Sequence, residues 1–187
     1  MMACELICCA GRVFSEQIKG VINEGKPPEE QRHGGYMCVF EGRSVPVPPI
    51  LLVKIGEQEP SRSLKDAIFC QEKGRRLMRI PDGISSWQTR DPDKAWWGGA
   101  IRVERDLIIS ISGLGELSDE ALALKVAFLH GLLTIDRARE IALLSDNMLF
   151  FSLVEDPSHI SFDQSSVNPL ALLQVDTANP PPPKPAA

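Results

Sequence analysis

Apolar and polar positions follow different rhythms along this chain, and each rhythm marks an element. From Leu6 to Asn23 the apolar residues Val13, Phe14, Ile18, Val21 and Ile22 fall on one face of a short helix. The segment stops at Glu24-Gly25-Lys26-Pro27-Pro28, because glycine favours a helix C-terminus and proline cannot continue one. Tyr36–Phe40 and Ile50–Ile55 are compact apolar runs rich in β-favouring residues, and they read as strands. The prolines of Val45-Pro46-Val47-Pro48-Pro49 hold the connector extended. A helix then opens at Ser63, with Leu64, Ala67, Ile68, Gln71, Gly74 and Met78 on one stripe; Pro81-Asp82-Gly83 ends it. Lys65, Asp66, Glu72, Lys73, Arg75, Arg76 and Arg79 lie off that stripe.

The second half, with no internal repeat of the first, carries a further pair of strands and more helix. Ala100–Val103 and Leu107–Ile111 are apolar runs separated by Glu104-Arg105-Asp106, a hairpin signal without the usual turn glycine. After Gly113-Leu114-Gly115, Ser118 is the expected N-cap of a helix from Asp119 to Leu133. That helix is apolar on nearly all sides, which predicts burial on more than one face. Thr134–Ser145 continues helical, either bent near Gly131 or as a new helix capped by Thr134. Met148–Val154 (MLFFSLV) reads as a last strand. The predicted order is α-β-β-α-β-β-α with a C-terminal α-β extension. It is an α+β fold, an antiparallel sheet with helices packed on it, as in PAS-like and profilin-like domains. Residues 1–155 read as a single domain, and 156–187 as an extended, proline-rich tail with no means of building a core.

The charge of −5 gives no general pull toward nucleic acid or an anionic membrane. No apolar run has the length of a bilayer span, and Glu5 interrupts the apolar start, so no signal peptide is expected. An odd number of cysteines, five, argues for reduced thiols and a cytoplasmic location. Cys4, Cys8 and Cys9 form a soft-ligand cluster for zinc or iron–sulfur, but it has no second cluster to complete it; buried or incidental thiols are the simpler reading.

His33, His130 and His159 have no partners at metal-ligand spacing. His33 reads as a loop residue within reach of a haem iron or metal, and His130 as a hydrogen-bonded helix residue. Lys73, Arg75, Arg76 and Arg79 form the one basic cluster, read as a solvated helix face. Gly113-x-Gly115 resembles half of a phosphate-binding turn, but Glu116, Asp119 and Glu120 would repel phosphate there. Trp96-Trp97-Gly98-Gly99 sets two bulky rings beside two residues without side chains. That pattern suits the wall of a flat cofactor pocket or a subunit contact, and equally a plug at the end of the sheet.

The segment Trp97–Ala123, WGGAIRVERDLIISISGLGELSDEALA, resembles the GlcG/HbpS family of small haem-binding domains, also found at the C-terminus of some corrinoid adenosyltransferases. The shared features are a glycine pair before a strand, a tight hairpin, a glycine-containing turn, and a helix opening with Asp-Glu-Ala. Ser63 and Ala67 match more weakly, and element order agrees from Gly11 to Leu133. The chain departs from the family at Cys70-Gln71, where a Lys-Ala pair is usual, and in having no histidine in the first helix. The resemblance implies a non-enzymatic domain binding a small planar ligand, haem being the candidate cofactor. The cleft would lie at Trp97, Gly98, Gly99, Gly113 and Gly115, in a homo-oligomer. An interaction module using the extension and the proline-rich tail to engage a protein partner is the alternative.

Overall fold

The computed structural model describes residues 2–42 and 47–155. Helix α1 (Met2–Val13) runs through a π turn (Phe14–Ile18) into α2 (Lys19–Asn23). Strands β1 (Gly34–Glu41) and β2 (Leu51–Gly56) precede the long helix α3 (Pro60–Met78). Strands β3 (Ala100–Val103) and β4 (Leu107–Ser112) lead to α4 (Glu116–Leu129), α5 (Ile135–Leu144) and α6 (Met148–Glu155). The four strands form one antiparallel sheet in the order β2-β1-β4-β3. The α+β architecture is as expected, and the pattern Ala100–Ile111 is indeed one hairpin, with Ala100 opposite Ser110 and Val103 opposite Leu107.

Strand alternation sorts the side chains into two cores. Cys38, Phe40, Ala100 and Ile108 face α3, where Cys70, Leu77 and Met78 meet them. Met37, Val39, Ile101, Ile109 and Ile111 face the opposite side, packing in the larger core with Leu6, Val13 and Ile18 and with the buried residues of α4. Helices α5 and α6 pack on α4 and complete its burial. That explains why Ala121 to Ala127 is buried all round.

Four local expectations are corrected. Met148–Val154 is helix α6, not a strand, so the extension is α-α rather than α-β. An unbroken apolar run has no periodicity of its own. The deciding residue is Asn147, whose Oδ1 accepts from the Phe150 N–H at 3.1 Å and starts the helix as an N-cap. Lys125 fixes α6 to α4 by donating to the Leu153 carbonyl at 2.9 Å. Second, α4 begins at Glu116 after Gly115, so Ser118 is inside its first turn rather than its cap. Third, the buried face of α3 is rotated from the predicted stripe. Leu64 and Ile68 are 74% and 54% exposed, while Asp66, Cys70 and Lys73 point inward. Fourth, Lys73 and Arg76 of the basic cluster are buried, not solvated.

The glycine-free hairpin turn closes by placing Arg105 and Asp106 at positive φ. Of the two readings after Gly131, the separate helix holds, with Thr134 Oγ1 accepting from Arg137 N–H at 3.2 Å. The expected tail, 156–187, and His159 with it, lie outside the described residues.

Candidate functional site

The first five residues of α4 carry three carboxylates, Glu116, Asp119 and Glu120, and each organises a different neighbour. Asp119 reaches across to α3: its Oδ2 accepts from Lys73 Nζ at 2.9 Å, and its Oδ1 accepts from the Leu114 N–H at 3.0 Å. Lys73 also donates to the Ile111 carbonyl at 3.0 Å. Both side chains are buried, at 2% and 3% exposure. Burial raises the Asp119 carboxyl above the usual carboxylate range, and the Lys73 charge partly opposes that rise.

Glu120 lies one residue on and is also fully buried. Among the described residues no salt bridge to it is formed. Its oxygens accept instead from Ser85 Oγ at 2.8 Å, from Asn147 Nδ2 at 3.1 Å, and from Ser145 Oγ. Burial pushes this carboxyl up as well, and the three hydrogen bonds hold it partly down. Glu120 thereby joins the α5–α6 turn to the loop before β3. Ser85 in turn caps the short 3₁₀ turn Ser86–Thr89 by accepting from the Trp87 N–H.

Glu116 organises the tryptophan loop. It receives Arg90 in a bidentate pair, 2.7 and 3.1 Å, and the Gly98 N–H at 3.1 Å. Arg90 is thereby held against two rings, 5.2 Å from the Trp87 centroid and 5.9 Å from that of Trp97. Trp96 has Lys94 at 4.9 Å and Arg76 at 5.6 Å. Arg76 is fixed by donating to the carbonyls of Thr89 and Trp97.

The residues singled out by sequence therefore sit together, in unequal surroundings. A methyl group on Gly98 would overlap the Trp87 ring, so that ring already covers the glycine. Gly99 has φ +113°, and a Cβ there would lie 2.7 Å from Asp119 Cβ and 3.0 Å from Lys73 Nζ. Gly113, at φ +127°, presses against Gly35. These three glycines accommodate the protein's own atoms. Gly115 has open space around its would-be side chain and is exposed, and Trp96 is 37% exposed beside the half-buried Trp97. The exposed members of the set are Trp96 and Gly115, with Trp97 half-buried.

Sequence reasoning missed Lys73, Arg90 and Glu120. A signal existed for Glu120 and Asp119, two adjacent acids opening an otherwise apolar helix. For Lys73 there was none, because the rotation of α3 is set by the sheet beneath it.

His130 is half-buried, its pKa lowered by burial and partly restored by Glu5 in α1. His33 lines a shallow cleft with Arg32, Glu57, Gln58 and Arg62. Cys4 is exposed, while burial raises the Cys9 thiol to about 11. Among the described residues no three or more His, Cys, Asp or Glu side chains are grouped to hold a metal ion, and no helix is long and apolar enough to cross a membrane. In comparisons with known proteins, no family model, curated protein or solved structure matches this chain.

Proposed function

We propose that this chain is a non-enzymatic binding domain of the GlcG/HbpS type, taking a small planar ligand on the outer face of Trp96, Trp97 and Gly115. Haem is the first ligand to test, and the cytoplasm is the proposed location. The observation that carries the reading is that all three tryptophans of the chain fall in one loop, and none is fully buried. Tryptophan contributes more than any other side chain to stacking on a flat ligand, and leaving three near the surface forgoes their value to the core.

Haem titration of the purified chain, followed by absorbance, tests this. A shifted Soret band that is lost in Trp96→Ala and Trp97→Ala supports the site. An unshifted spectrum removes haem, and retention of binding in both variants removes the tryptophan face.

A second reading, an interaction module or a self-associating chain using the C-terminal extension, is favoured by one observation. Leu143, Leu144 and Met148 are 69%, 44% and 64% exposed at the α5–α6 turn. Such side chains bury readily against a partner. Native mass spectrometry of the chain and of Leu143→Glu/Met148→Glu reports whether that face holds a second copy. A monomer in both, with no co-purifying protein, ends this reading.

A further inference from the structure

Two thiols lie in one buried cluster between α3 and the sheet. Cys38 lies on β1 opposite Ser110 of β4, on the face covered by α3. Cys70 descends from α3 onto this spot. Its Sγ is 3.1 Å from the Ser110 carbonyl oxygen and 3.2 Å from that of Tyr36, two residues before Cys38. Ser110 Oγ donates to the Cys70 carbonyl at 2.6 Å, which draws the helix close to the strand at this point. Gly74, one turn along, lets the Phe40 ring lie directly against the helix and maintains the same close approach. Neither cysteine is exposed at all.

We propose that Cys38 and Cys70 are a modification site, a dithiol that a small hydroperoxide converts to an intramolecular disulfide fastening α3 to β1. The atoms balance with hydrogen peroxide as oxidant. One thiol attacks the peroxide oxygen, the O–O bond breaks, and a sulfenic acid and one water form. The second sulfur displaces the sulfenic oxygen as a second water, and the S–S bond forms. Two S–H bonds are lost, and both sulfurs are oxidised at the expense of the peroxide. The reaction requires α3 to open locally. In the closed state burial pushes the Cys70 thiol well above its ordinary pKa, which keeps it protonated and unreactive. The site is thus reduced at rest and is oxidised in proportion to how often the helix lifts.

This site differs from the N-terminal cysteines, which are nearer to solvent but lie along one helix. It also stands independently of any ligand at the tryptophan face.

The test is peptide mapping of the full chain after exposure to hydrogen peroxide, with alkylation under denaturing, non-reducing conditions. The expected result is a linked pair of peptides containing Cys38 and Cys70, lighter by two hydrogens and separated by a reductant. In Cys70→Ser the Cys38 peptide stays free. The proposal is overturned if Cys38 and Cys70 remain fully alkylatable after Cys4 has been oxidised, or if they link only to Cys4, Cys8 or Cys9. Partial urea, which raises the open population, accelerates formation of the pair. A rate indifferent to urea overturns the helix-lifting route.

Discussion

Replacing Lys73 by Met removes the ammonium group from the buried pair and keeps most of the packing volume. Asp119 then keeps one local hydrogen bond, from the Leu114 N–H, while the Ile111 carbonyl loses the Lys73 donor. Breaking a buried pair by deleting one partner costs about 3–5 kcal/mol, because the remaining charge stays out of water. In a chain of this size each kcal/mol lowers Tm by about 2–4 °C, so a fall of about 6–20 °C is expected. The loss also depends on pH. The folded-state pKa of Asp119 is already raised by burial, and Lys73 is what opposes the rise. Without Lys73 it rises further, so the folded state favours the protonated acid. Stability of Lys73→Met is then best at pH below the unfolded carboxyl pKa and is lost as pH climbs through the raised folded value. Urea unfolding of wild type and variant across the acid-to-neutral range measures both effects. Lys73→Met/Asp119→Leu, which removes both charges, should be more stable at neutral pH than Lys73→Met alone. A single variant within about 1 kcal/mol of wild type, with no added pH dependence, would refute the account, since a loss that small is ordinary for any substitution.

Substitutions at three other positions probe the surroundings. Gly98→Ala places a methyl group in the volume of the Trp87 ring, so it should displace that ring, cost about 1–3 kcal/mol and shift tryptophan emission to the red. Glu120→Ala strands Ser85, Ser145 and Asn147; at about 1 kcal/mol for each hydrogen bond it should cost about 3 kcal/mol in denaturant unfolding. Glu120→Gln should instead remove the loss of stability that wild type shows as pH rises through the elevated Glu120 pKa. Asn147→Ala removes the α6 cap together with bonds to Glu120 and the Leu117 carbonyl, and should cost about 2 kcal/mol or more, with reduced helical circular dichroism. Unchanged helicity there would mean that α6 is held by its apolar face alone.

The parts of this fold legible in sequence are those fixed by local chemistry. Strand pairs separated by turn residues, the glycine turn before α4 and the Thr134 cap all depend on neighbours in the chain. What sequence misplaced depends on distant neighbours. The predicted stripe of α3 is rotated in the fold: Cys70 and Leu77 join Cys38, Phe40 and Ile108 of the sheet, and Gly74 gives the Phe40 ring room against the helix. Lys73 is carried inward by that rotation, where Asp119 supplies the charge that makes its burial tolerable. Similarly, MLFFSLV pairs with no strand because α4 presents an apolar flank, and Asn147 starts a helix against it. The glycines were identified as one cluster, but residues outside the motif decide which meets solvent: Trp87 covers Gly98, Asp119 and Lys73 crowd Gly99, and Gly35 crowds Gly113, which leaves Gly115 exposed.

The charge around the tryptophans bears directly on how a ligand would bind. Each cation lying against a ring has its own carboxylate: Arg76 has Glu72 at 3.3 Å, Arg90 has Glu116, and Lys94 has Asp91. The face is therefore rich in cations yet close to neutral as a unit. An anionic ligand at this face would therefore be held by short-range stacking rather than by a long-range field. Salt shortens the reach of charge interactions from about 10 Å at 0.1 M to about 3 Å at 1 M, which barely affects contacts within van der Waals range. Affinity for a planar ligand at this face should thus change little with ionic strength, and should fall sharply when Trp96 is replaced by Leu, which keeps apolar area but not the flat ring. A steep decline in affinity with added salt, with Trp96→Leu binding normally, would mean that uncompensated charge elsewhere on the chain recruits the ligand and that the tryptophans serve only to close the end of the sheet.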